Sequence, residues 1–101
     1  MIVEYTRYRV PPDRHELFVS AYEAAADYLS ASAHCLAFEL SHCVEDHDRY
    51  VLRIEWQSTE GHLEGFRKEP GFPEFRRLVE PFVGDIEEMN HYELTEVVHW
   101  K

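Results

Sequence analysis

Residues 35–43 and 49–57 are two β-rich runs, CLAFELSHC and RYVLRIEWQ, joined by the polar loop Val44-Glu45-Asp46-His47-Asp48. Side chains alternate between faces along a strand, so Leu36, Phe38 and Leu40 share one side of the first run. Leu52, Ile54 and Trp56 share one side of the second. If these apolar faces coincide in a hairpin, Leu40 must oppose Leu52, Phe38 must oppose Ile54 and Leu36 must oppose Trp56. The same register sets Glu39 against Arg53 on the other face and His42 against Tyr50 near the loop. A shift of one residue would lose the ion pair and bring the apolar face out to water.

That register disposes of a tempting reading. His34-Cys35 and His42-Cys43 stand at the two ends of the first run, as paired metal or redox ligands would. The two cysteines are about 26 Å apart along a strand rising ~3.3 Å per residue, whereas a disulfide needs Cα atoms within about 7 Å. His34 and His42 are separated by the same length, too far to share a metal ion bound at about 2 Å. No metal site is expected. Cys35 and Cys43 are expected to be inert free thiols, as suits a reducing compartment.

Elsewhere the chain supplies what such a hairpin needs. Residues 2–10 are rich in β-branched and aromatic side chains and stop at Pro11-Pro12, which reads as a first strand. Asp13 and Glu16 have capping-box spacing, and Leu17, Phe18, Ala21, Tyr22, Ala25, Tyr28 and Leu29 follow at helical intervals. Ser58 is expected to cap a helix through Glu69 that Pro70-Gly71 breaks. A further helical piece runs from Pro73 to about Glu80, and 86–97 is expected to be the last strand. The order β-α-β-β-α-β predicts a single α+β domain over 1–101, ferredoxin-like, with one antiparallel four-stranded sheet and helices on one face. The uncovered face would carry Tyr5, Arg7, Arg9, Glu39, Val51, Arg53 and Glu55. This mixture is aromatic and charge-matched, so a second copy of the sheet is its expected cover, giving a homodimer.

Composition excludes several functions. A net charge of -10 on 101 residues repels a phosphate backbone, and Arg67-Lys68 and Arg76-Arg77 are the only adjacent basic pairs. Nucleic acid is not an expected partner. No apolar run approaches the ~18 residues of a membrane span, and the N-terminus lacks a signal-peptide pattern, so a soluble cytoplasmic protein is expected. Phosphate loops, nucleophile elbows and zinc signatures do not occur.

The run Glu55-Trp56-Gln57-Ser58-Thr59-Glu60-Gly61-His62-Leu63, followed by Phe72 and Phe75, and the opening Arg7-Tyr8-Arg9-Val10-Pro11-Pro12 resemble the antibiotic biosynthesis monooxygenase (ABM) domain. The resemblance covers nearly the whole chain. It implies a ferredoxin-like fold that dimerises through its sheets into an α/β barrel, with a pocket between sheet and helices in each protomer. The family's chemistry ranges from cofactor-free oxygenation of phenols and quinols to haem degradation. The haem-degrading branch uses an Asn, a Trp and a His at positions falling near Thr6, near Gly65 or Phe66, and near Phe75 or Arg76; none is retained, so haem degradation is not expected. The chain also resembles ABM-type domains joined to truncated globins, which implies a globin or other haem protein as a partner.

The expected function is cofactor-independent monooxygenation of a small aromatic phenol, anthrone or quinol. The alternative is a ligand-binding or redox-partner module without turnover. His62, one turn into the second helix and sharing a face with Phe66, is the candidate general base, against the plainer reading of a helix-surface histidine. Trp56 would stack a substrate ring or simply fill the core. Thr6 and Tyr8 would present hydroxyls, with Phe66 and Phe75 as further walls. On the last strand Ile86 and Leu94 argue for Tyr92 facing inward while Met89 argues against it; Tyr92 is expected inward, as a substrate-binding residue.

Overall fold

A computed structural model describes residues 1–58, 60 and 64–100 of the chain. Strand β1 (Ile2–Arg9) leads through a single 3-10 turn (Pro12–Arg14) into helix α1 (His15–Ala31). Strands β2 (Cys35–His42) and β3 (Arg49–Trp56) form the hairpin, a one-turn 3-10 segment (Phe66–Lys68) and helix α2 (Phe72–Val79) follow, and a 3-10 stretch (Glu80–Asp85) feeds strand β4 (Ile86–Glu93). The four strands make one antiparallel sheet in the order β2-β3-β1-β4, which is the ferredoxin-like α+β arrangement. β1, the first strand in sequence, is interior to the sheet, so both its edges are paired.

The hairpin register is the expected one over most of its length. Leu40 opposes Leu52, Phe38 opposes Ile54 and Glu39 opposes Arg53, whose guanidinium reaches the carboxylate at 3.4 Å. His42 opposes Tyr50 and stacks on it, with ring centroids 4.2 Å apart and planes 7° from parallel. The expected pairing of Leu36 with Trp56 does not occur. Trp56 pairs with Cys35, Glu55 pairs with Ala37, and Leu36 is the extra residue of a bulge, 52% exposed. An inserted residue inverts the parity of everything beyond it. Cys35 is thereby turned onto the core, where burial pushes its thiol up to about 11. A small side chain, not a leucine, lies beside the indole.

A second bulge settles β4. Thr6 pairs with Met89 and Tyr8 with Ile86, so the register slips between Arg7 and Tyr8 and Glu87 is the additional residue. Ile86 and Met89 can therefore both belong to the helix-covered face although their positions differ by three. Beyond the bulge, Glu4 opposes His91 and Val3 opposes Tyr92, which sends Tyr92 to the opposite face, contrary to expectation. The strand also ends at Glu93, four residues short of the expected limit, with Thr95 onward outside the ladder.

Helix α1 buries Phe18, Tyr22, Ala25 and Leu29, spaced by four, three and four residues. Leu17, placed in that stripe from sequence, is 65% exposed. The capping box is not formed either: Arg14 is the N-cap residue and no side chain caps the helix. Entry is instead directed by Pro11, whose carbonyl accepts the Arg14 amide at 2.9 Å, and by the Arg14 guanidinium, which donates to Asp85 at 2.9 Å and to the Pro81 carbonyl at 2.8 Å. α2 closes against α1 at Gly71, where an added Cβ would come within 2.8 Å of the Tyr28 ring. Of the expected helix from Ser58 to Glu69, residues 59 and 61–63 lie outside those described; Glu60 and residues 64–68 are helical, the last three as the 3-10 turn Phe66–Lys68.

The bulge makes a contrast that chemical denaturation can read. Leu52→Ala should cost about 2–5 kcal/mol, as for a buried leucine, while Leu36→Ala should stay within about 0.5 kcal/mol. Equal, large losses would mean that Leu36 is inside against Trp56.

Candidate functional site

Between the sheet and the segment containing α2 lies a cavity of about 240 Å³. Its floor comes from β1 and β3, which present Glu4, Thr6, Tyr8, Leu52, Ile54 and Trp56. The alternation of β1 explains this: Glu4, Thr6 and Tyr8 are successive residues of its helix-facing side, and all three are almost fully buried. The roof consists of Phe66, Phe72, Phe75 and Val79. Phe66 is the hinge of this roof, in edge contact with Phe72 and Phe75 at 5.4 and 5.0 Å and tilted against Trp56 at 5.4 Å. Helical spacing alone brings Phe72, Phe75 and Val79 to one side of α2. Val83, Ile86 and Met89 complete the wall on the β4 side.

Among the described residues, one carboxylate is set into this apolar enclosure. Glu4 is only 3% exposed, and burial of a charge is costly unless donors surround it. Thr6 Oγ1 donates to Glu4 Oε2 at 2.6 Å, and the Trp56 indole Nε1–H donates to Oε1 at 3.0 Å. His91, paired with Glu4 across the β1–β4 ladder, places Nε2 3.8 Å from Oε1. The indole is a donor only and requires an acceptor, which a carboxylate supplies. Trp56 is therefore both a wall of the cavity and a holder of its acidic group.

Tyr8 adds a second polar element. Its hydroxyl is hydrogen-bonded to that of Tyr22 from α1, and both residues line the cavity. Burial pushes the Tyr8 phenol up to about 12, and burial together with the neighbouring Tyr8 raises Tyr22 well above its ordinary value. Both hydroxyls are protonated at neutral pH. One proton bridges the pair and the other is left to be donated elsewhere, so the pair can serve as a neutral hydrogen-bond donor.

The structure brings Thr6, Tyr8, Trp56, Phe66 and Phe75 together around one space. Tyr92 is not among them. It is 46% exposed on the opposite sheet face, its ring edge-on to Tyr5 at 5.5 Å and its hydroxyl donating to Glu88 at 3.1 Å. The β4 bulge is the cause, as it gives the inward positions to Met89 and His91. His62 lies outside the described residues. Sequence reasoning missed Glu4, although a signal was available: a glutamate at the same parity as Thr6 and Tyr8, on a strand that the fold makes interior, must be buried. Among the described residues no group of three or more His, Cys, Asp or Glu side chains could hold a metal ion, and no helix is long and apolar enough to cross a membrane.

The chain is similar to known proteins in sequence and in fold. The chain is 27% identical over 93 residues to the uncharacterised protein YczJ of Bacillus subtilis strain 168, covering 92% of this chain and 98% of that one. It superimposes on a crystal structure of a candidate antibiotic biosynthesis monooxygenase from Bordetella bronchiseptica with a TM-score of 0.76 and 25% identity, covering 93% and 96% of the two chains. A candidate of the same description from Deinococcus radiodurans shares the fold at a TM-score of 0.75 and 12% identity, over 100% and 99% of the chains. The family model for antibiotic biosynthesis monooxygenase matches residues 1–95, taking in every strand, both helices and the whole cavity. The chain belongs to the antibiotic biosynthesis monooxygenase family.

Proposed function

We propose that the protein is a cofactor-independent monooxygenase acting on a small aromatic phenol, anthrone or quinol, with Glu4 as the group that takes the substrate's proton. The observation that carries this reading is the buried Glu4 carboxylate in the floor of a cavity walled by Trp56, Phe66, Phe72 and Phe75. At about 240 Å³ the space falls just below the roughly 300–1,000 Å³ of sites for drug-sized ligands, which suits a compact ring system. A flat aromatic would replace contacts with water by contacts with the four rings.

The chemistry asks little of the protein beyond a base and a dry cavity. Proton loss from an activated methylene leaves an electron pair on the ring carbon, which reduces dioxygen and forms a carbon–oxygen bond as a peroxide. Elimination of water then turns the methylene into a carbonyl: one oxygen atom enters the product, the other leaves as water, and the substrate supplies every electron. Glu4 would accept the proton at a carboxylate already oriented by Thr6 and Trp56. The spare donor of the Tyr8–Tyr22 pair would stabilise the negative charge that develops on the substrate oxygen, a role for which neutral phenols are suited. His62 stays a second proposed proton acceptor.

We also propose that two copies associate through the sheet face opposite the cavity. Tyr5, Arg7 and Arg53 are already ordered there: the Arg7 guanidinium lies 5.7 Å from the Tyr5 ring centre, and Arg53 donates to the Tyr5 hydroxyl at 3.4 Å and to Glu55 at 2.8 Å. Val3, two residues before Tyr5 on the same face, is almost wholly buried between its cross-strand neighbours Glu55 and Tyr92.

Oxygen uptake with a panel of anthrones and quinols tests the enzyme. Glu4→Gln keeps an acceptor for the indole and should lower kcat/KM by about 100-fold or more, while His62→Ala separates the second base. Uptake at the buffer rate across the whole panel would favour a binding module. For the association, sedimentation should give twice the chain mass, and Tyr5→Glu should shift it toward the monomer; a monomeric wild type would refute the dimer.

A further inference from the structure

Two arginines belong to the same cavity. Arg67, on the 3-10 turn, and Arg76, on α2, both line it and both are exposed, so they stand at its rim while Glu4 lies in its floor. Each comes from one of the two adjacent basic pairs in the sequence. Their neighbours are engaged elsewhere: Lys68 pairs with Glu64 at 3.1 Å, and Arg77 holds Glu74 through three hydrogen bonds.

Of the arginines of the sheet and of the α1 entry, Arg9, Arg14, Arg49 and Arg53 are also neutralised, while Arg7 lies over the Tyr5 ring on the opposite sheet face. Arg9 and Arg49 share Asp46 and Glu87, Arg14 holds Asp85, and Arg53 is held by Glu39 and Glu55. The rim pair differs. Arg76 has only a long contact to Glu80 at 3.6 Å across an exposed helix turn, the kind of pair worth little in water. Among the described residues no ion pair or hydrogen bond engages Arg67. In a chain of net charge -10, where carboxylates outnumber cations two to one, two weakly neutralised guanidiniums at one opening are a local reversal of sign.

We propose that the substrate is an aromatic carboxylic acid, its carboxylate held at the rim by Arg67 and Arg76 and its ring placed among Trp56, Phe66 and Phe75. The inference deepens the oxygenase reading and rests on it for the word substrate; the binding itself does not depend on turnover. Guanidiniums match a carboxylate in planar, paired geometry, which would fix which edge of the ring enters first. The end remote from the carboxylate then approaches Glu4. A carboxylate pointed the other way would meet a buried acid of its own sign, so the two ends of the cavity select one orientation.

Naphthoate and its neutral isostere naphthamide test this by calorimetry, since neither offers a methylene to oxidise. Wild type should bind the acid about 10-fold more tightly than the amide. Arg67→Gln/Arg76→Gln should bring the two within about twofold, while Lys68→Gln/Arg77→Gln, with the same change of net charge, should retain the preference. Unchanged amide affinity in both double variants establishes that the cavity is intact. The proposal is overturned if wild type binds acid and amide alike, if it binds neither, or if both double variants lose the preference equally. Acid preference without oxygen uptake would refute the oxygenase reading alone, and uptake without acid preference would refute this inference alone.

Discussion

Glu4 is the constraint on which the site depends. A carboxylate removed from water must gain donors or be expelled, and among the described residues hydrogen bonds reach it from two strands: from Thr6 on its own strand β1 and from Trp56 on β3. Those bonds also govern packing. The indole that donates to Glu4 also carries the roof: Phe66 packs on it, tilted by 46°, and in turn contacts Phe72 and Phe75. The polar contact and the aromatic roof are thus one arrangement. Removing the Glu4 carboxylate would take this acceptor from both the indole N–H and the Thr6 hydroxyl, and a buried donor left unsatisfied costs about 1–3 kcal/mol.

The sheet supplies this geometry through two departures from regularity. The bulge at Leu36 gives the place beside Trp56 to the small Cys35, and the bulge at Glu87 lets Ile86 and Met89 face the cavity together. Both lie where a strand meets the site, and each re-aims a side chain without breaking the ladder. The opposite face is ordered by Arg53, held between the Tyr5 hydroxyl and two glutamates. One sheet thereby separates an aromatic interior from a charged and aromatic exterior.

How far the sequence could be read follows from the same facts. Alternation identified the hairpin register at Leu40–Leu52 and Phe38–Ile54 because both faces of that segment have distinct chemistry. It failed at Leu36 and at Tyr92, since a bulge changes parity without leaving a compositional mark; neither site carries the glycine or proline that often announces one. Glu4 was legible in principle, but a charged residue in a strand suggests a wet face until the strand order places it inside. Proximity of Arg67 and Arg76 to the same opening was not legible, because it depends on how the 3-10 turn and α2 fold back over the sheet. Helix starts were misjudged for a related reason: Pro11 and Arg14 direct the entry into α1 through backbone and long-range bonds, where local spacing suggested Asp13 and Glu16.

The central claim is that Glu4 takes a proton from a bound aromatic substrate, and this step can be observed without oxygen. Under strict anaerobiosis in deuterated buffer, exchange of an anthrone's methylene protons can be followed by NMR with catalytic amounts of protein. The account predicts that wild type accelerates the exchange and that Glu4→Gln returns it to the buffer rate. Exchange by Glu4→Gln at the wild-type rate would contradict it.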